Sequence, residues 1–179
     1  MSRRAWVQVV LAAACSWLAM MVVHEFGHVL HAWASGGRVA RVVLHPLAFS
    51  RTDLRVNPHP GFVAWGGVMW GSVLPAAAWR MVRRRRREHL ARFWAGFCLI
   101  ANGAYLAAGV VAPVGDVEDL LRMGTPRWVV IGVGLPLVAA GLALWNGAGR
   151  WFTGSDDRLL LGAVLAGLIA GMLVWSWVS

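Results

Sequence analysis

The sequence predicts an all-α polytopic membrane protein of about five transmembrane helices, with a small β-like insertion after the first. Three observations carry this. Five apolar stretches approach the ~20 residues that a helix needs to cross a bilayer. Hydrophobic residues make up 59% of the chain and the mean hydropathy is +0.60, more apolar than an ordinary soluble domain. The 21 Gly and 12 Trp suit helices that pack closely and end at a membrane interface. A length of 179 residues is enough for one domain.

The first helix is expected from Trp6 to Trp33. No charge interrupts Trp6 to Val23, and Ser35-Gly36-Gly37 is a helix stop. Its length of about 42 Å exceeds the hydrocarbon core. Residues 38 to 62 change character. Arg38 to His45 is rich in β-branched residues, and Ser50 to Val56 mixes polar and apolar side chains, so one or two strands are expected there. Asn57-Pro58-His59-Pro60-Gly61 reads as a turn. The second apolar helix is expected from Phe62 to Val82, kinked at Pro75, and the third from Leu90 to Ala112. Pro113 to Arg122 reads as a loop or short surface helix. Two further helices are expected at Trp128 to Trp145 and Arg158 to Val178, joined by the polar link Gly147 to Asp157, with Asp156 and Asp157 capping the last one.

The net charge of +9 comes entirely from Arg, since the chain has no Lys. Flanking basic residues orient membrane helices and meet lipid headgroups. That explains the excess more simply than nucleic acid does, because no aromatic-interleaved module accompanies the arginines. An integral, multi-pass place in a bacterial-type cell membrane is expected. Cys15 and Cys98 lie in apolar runs and read as reduced core residues. The N-terminal Met-Ser-Arg-Arg followed by an apolar run is signal-like, but the run is long and continues into a charged motif, so it reads as a retained helix.

That motif is His24-Glu25-Phe26-Gly27-His28. Two histidines four apart share a helix face, about 6 Å apart along the axis. Such a pair can hold one zinc ion, with the intervening glutamate as general base. Charged groups at the end of a membrane-length apolar run are costly without a role. The plainer alternative is that His24 and His28 are polar contacts in a bundle and Glu25 pairs with an arginine. His31 continues the face, but about 10.5 Å from His24 along an unbroken helix, too far to converge on the same ion. His45, His59 and His89 are isolated and read as loop or interface residues.

A third ligand is still required. Asp116, Glu118 and Asp119 form the dense acidic cluster of the chain. They read either as a solvated loop paired with Arg122 and Arg127, or as the source of that ligand. Asp116 is the first candidate, because Gly115 lets its backbone approach other elements closely, and Asp119 is the second. If the first three helices all cross, the end of the first and the end of the third share a side. His24, His28 and Asp116 can therefore meet.

A membrane-embedded His-Glu-x-x-His followed by a glycine-flanked aspartate after a later helix resembles the site-2 protease family of intramembrane zinc metalloproteases. His24, Glu25 and His28 match that family's first motif. Its second motif carries an Asp-Gly pair, whereas here the order is Gly115-Asp116. The family's asparagine lies close before the aspartate, whereas Asn102 lies 14 residues upstream. The Gly-rich stretch from Gly36-Gly37 to Gly66-Gly67 is also similar. The resemblance covers residues 6 to 122 and leaves the last two helices outside it.

The resemblance implies Glu25 as catalytic base, His24, His28 and Asp116 as metal ligands, Zn2+ as cofactor, and a membrane protein as substrate. The rival expectation is a non-catalytic membrane protein of the same fold that binds or chaperones another membrane protein. A small transporter is disfavoured by the absence of paired repeats. Arg83 to Arg87 share a side with Arg3, Arg4, Arg150 and Arg158, so the positive-inside rule puts that end in the cytoplasm and the site opposite. The resemblance implies the reverse.

Overall fold

The computed structural model describes residues 2–153 and 156–178. The elements run α1 (Arg3–Ala34), β1 (Arg38–Val43), β2 (Arg51–Val56), α2 (Pro60–Val82), α3 (Glu88–Gly109), α4 (Gly115–Arg122), α5 (Arg127–Trp145), α6 (Ala148–Trp151) and α7 (Arg158–Val178). Among the described residues five helices are long and apolar enough to cross a membrane, at Arg3–Ala34, Pro60–Val82, Glu88–Gly109, Arg127–Trp151 and Arg158–Trp177. The expected insertion after the first helix is a two-stranded antiparallel hairpin, with irregular register between Arg38 and Arg41.

α1 ends where the sequence stops it. Gly36 takes φ +77°, and the Gly37 N–H returns to the Ala32 carbonyl at 2.7 Å. α1 and α2 meet backbone to backbone at Gly27 and Gly66. A Cβ on Gly27 would stand 2.2 Å from the Gly66 carbonyl oxygen, so no larger residue fits this crossing. α3 and α5 repeat the device, Gly103 lying against Gly134 and Gly96 against Gly141. Each helix thus offers a glycine every seventh residue, the spacing that keeps two helices in contact along their length.

Between α3 and α5 the chain forms α4 in place of an open loop. Its apolar side, Val117 and Leu120, is fully buried against Ala64 and Val68 of α2, Leu106 of α3 with Val110 just past its end, and Val130 of α5. Burying these two side chains is worth about 1.5–3 kcal/mol each. That packing decides which way Asp116, one residue before Val117, is turned.

At the other end of the bundle, Ala5, Ala12 and Cys15 of α1 pack with Phe93, Phe152 and Leu161. Cys15 and Cys98 are both buried free thiols. The expected capping role of Asp157 gives way to a different one. Its carboxylate is buried and takes Arg87 at 3.1 Å and His89 at 2.9 Å, while its N–H donates to Gln8. A carboxylate inside the bundle needs cationic partners more than a helix end needs a cap. Asp156 remains exposed and pairs with the Arg158 side chain.

Candidate metal centre

His24 and His28 stand on the face of α1 that the Gly27–Gly66 crossing presses onto α2, and Glu25 turns toward the hairpin. The crossing brings backbone carbonyls of α2 within reach of the rings. His28 Nδ1–H donates to the Val63 carbonyl at 2.8 Å, and His31 Nδ1–H to the Phe62 carbonyl at 2.7 Å. His31 also stacks on Phe62, with ring centroids 4.1 Å apart. It stands one turn beyond the pair, engaged with α2.

His24 is fixed from α3. Its Nδ1 lies 3.2 Å from Asn102 Oδ1, and Asn102 Nδ2 donates to the Cys98 carbonyl at 2.9 Å. The second bond sets the amide so that its oxygen faces the imidazole. A carbonyl or amide oxygen can only accept, so Nδ1 carries the proton in both His24 and His28.

The two Nε2 atoms face Asp116. His24 Nε2 is 3.0 Å from Oδ2 and His28 Nε2 is 3.3 Å from Oδ1. With Nδ1 committed elsewhere, neutral rings turn two lone pairs toward a carboxylate. Two arrangements relieve this, imidazolium rings that donate to Asp116 or a cation held between the three groups. Burial by itself would raise the Asp116 carboxyl, but the two facing histidines outweigh it and hold the group well below the usual carboxylate range.

Asp116 is placed by Tyr105, the chain's one tyrosine. Its hydroxyl accepts the Asp116 N–H at 2.8 Å and donates to the Val114 carbonyl at 3.0 Å. Gly115 permits this contact. Its φ is +56°, and a Cβ there would stand 2.8 Å from the hydroxyl. The neighbouring acids turn away. Glu118 and Asp119 both pair with Arg122, and Asp119 is half-exposed at the rim.

Gly67 leaves space for an ion. A Cβ at this position would stand 2.5 Å from Nε2 of both histidines. His24, Glu25 and His28 form a group that could hold a metal ion, their ligand atoms all within 4.8 Å of one another. The Asp116 carboxylate, 3.0 Å from His24 Nε2 and 3.3 Å from His28 Nε2, offers a further donor beside the two rings.

Glu25 is almost fully buried, and Thr52 Oγ1 on β2 donates to its Oε2 at 2.7 Å. The hairpin therefore reaches over the centre and touches Glu25. It is tied down on its other side by Trp175 Nε1, which donates to the Val42 carbonyl at 2.7 Å. Beneath it lies a cavity of about 750 Å³. His24, Glu25, His28 and Asp116 form its polar end, and Trp17, Met20, Leu54 and Ala101 are among its apolar walls.

The sequence-predicted residues His24, Glu25, His28 and Asp116 thus come together. Asn102 is drawn in as well, contrary to its distance from Asp116 along the chain, because α3 carries it beside His24. Thr52, Tyr105 and Gly67 had no sequence signal beyond the glycine pair and the single tyrosine. Comparison with family models, curated proteins and solved structures returns no match to this chain.

Proposed function

We propose that this chain is an integral membrane zinc metallopeptidase that hydrolyses peptide bonds of membrane-associated protein substrates. The membrane reading is supported by the five apolar helices and by what they leave exposed. Leu135, Leu142, Leu159 and Trp177 of α5 and α7 are each more than half exposed, which suits acyl chains and not water. The likeness to site-2 proteases is carried by His24-Glu25-x-x-His28 and by Gly115-Asp116.

The observation that carries the metal reading is the convergence of two Nε2 atoms and a carboxylate on one point, with both Nδ1 atoms engaged elsewhere. Tetrahedral zinc with bonds near 2.0–2.1 Å sets its ligands about 3.3 Å apart. The two histidine–aspartate separations here are 3.0 and 3.3 Å. Bound there, zinc would supply a Lewis acid and lower the pKa of water. Glu25, buried beside the two rings, takes the proton from water and returns it to the leaving amine. Asn102 and the Val63 carbonyl hold the rings in their ligating tautomer. The apolar cavity wall accommodates an extended hydrophobic segment.

The Thr52–Glu25 contact also favours the second reading, a protein that binds another membrane protein without turnover, since the base is held by the hairpin. Glu25→Gln separates the two. Cleavage of a membrane-protein substrate should fall by at least ~100-fold with zinc content unchanged. Zinc bound by wild type with no cleavage of any membrane-protein substrate, or cleavage that survives in Glu25→Gln, contradicts the catalytic role.

A further inference from the structure

The end of the bundle opposite the metal centre carries a basic pocket of about 280 Å³, lined by Arg85, Arg86, Glu88, His89, Arg92 and Trp151. We propose that it binds the headgroup phosphate of an anionic phospholipid. The inference rests on the membrane reading above and is independent of the metal centre.

Four observations carry it. The carboxylates nearby are already engaged. Asp157 takes Arg87 and His89, and Glu88 accepts from the Arg84 N–H at 2.8 Å and from Trp79 Nε1 at 3.3 Å. Arg85, Arg86 and Arg92 form no ion pair within 4.0 Å among the described residues, so three guanidinium groups line one pocket against the single carboxylate of Glu88 and leave it net positive. The Arg92 guanidinium lies over the Trp151 ring, 4.6 Å from its centroid, and its buried Nε has no hydrogen-bond partner among the described residues. A buried donor without an acceptor is costly, and a phosphate oxygen would satisfy it.

The turn that presents the arginines is held in place. Arg84 adopts φ +75°, unusual for a side chain of its size, and the Arg84 N–H bond to Glu88 retains it. The pocket also lies level with the ends of α2 and α3, and Trp79 and Trp151 lie beside it, the residue type that marks a headgroup layer. A bilayer phosphodiester reaches this level without leaving the membrane. Basic pockets between helices at a membrane surface recognise anionic headgroups in this way.

The test is lipid retention by detergent-purified full-length protein, counted by native mass spectrometry during titration with phosphatidylglycerol or phosphatidylcholine. Wild type should hold phosphatidylglycerol about tenfold more tightly than phosphatidylcholine. Arg85→Gln/Arg86→Gln, both on an exposed turn, and Arg92→Gln should each lose most of that preference. Arg38→Gln/Arg55→Gln, on the hairpin, should keep it. A preference that survives Arg85→Gln/Arg86→Gln, or that Arg38→Gln/Arg55→Gln removes equally, overturns the proposal. So does inorganic phosphate that displaces phosphatidylglycerol at matched concentration, which would make the ligand a soluble anion. Equal retention of both lipids refutes the pocket alone. Retention of neither, with the protein left in the aqueous phase on detergent phase separation, refutes the membrane reading beneath it.

Discussion

Asn102 Oδ1 sits 3.2 Å from His24 Nδ1, and this contact decides which nitrogen of His24 faces Asp116. The two residues are 78 positions apart, on helices that the sequence does not pair. Residues that orient a metal-bound histidine through its far nitrogen commonly change metal affinity by 10–100-fold when lost. Asn102→Leu should weaken zinc binding by about tenfold or more. Competition with a chelator measures it, and Asn102→Asp, which keeps the acceptor, should restore most of the loss.

Gly67 makes a sharper prediction, because its effect is steric and local. A methyl group there would lie 2.5 Å from both Nε2 atoms, in the space an ion shared by them would need. Gly67→Ala should abolish zinc binding. Gly132→Ala, at a helical glycine with open space around it, should leave binding unchanged. Comparing zinc content and thermal unfolding of the two variants separates loss of the site from loss of the fold.

Thr52 tests whether the hairpin serves the chemistry. Its hydroxyl fixes the Glu25 carboxylate at 2.7 Å. Thr52→Val keeps the shape and removes the bond. Turnover should fall about tenfold, with zinc content unchanged. Thr52→Ser should recover it. Steady-state cleavage with a membrane-protein substrate is the readout.

Much of this architecture was legible along the chain. Five apolar stretches gave the five long helices, and the i, i+4 spacing put His24 and His28 on one face. What lay beyond the sequence was tertiary. Asn102 reaches His24 because of how α3 lies against α1, and Thr52 reaches Glu25 through a hairpin whose register is irregular near Val39. Gly67 matters because α2 passes within van der Waals distance of two rings, a proximity no local pattern encodes. Asp157 looked like a helix cap from its position before Arg158. Burial against α3 gave it two cationic partners instead.

The acidic cluster shows the same limit. Asp116, Glu118 and Asp119 are equivalent as composition. Val117 and Leu120 must be buried together, and on a helix that turns Glu118 and Asp119 to the surface and leaves Asp116 at the edge of the core. The Tyr105 hydroxyl then fixes its backbone.

Zinc per chain in detergent-purified protein tests the metal centre most directly, compared among wild type, His28→Ala, Asp116→Ala and Asp119→Ala. About one zinc is expected in wild type and in Asp119→Ala, with little or none in the other two. Wild type that holds no zinc even after reconstitution, or Asp116→Ala that holds as much as wild type, would contradict a centre built from His24, His28 and Asp116.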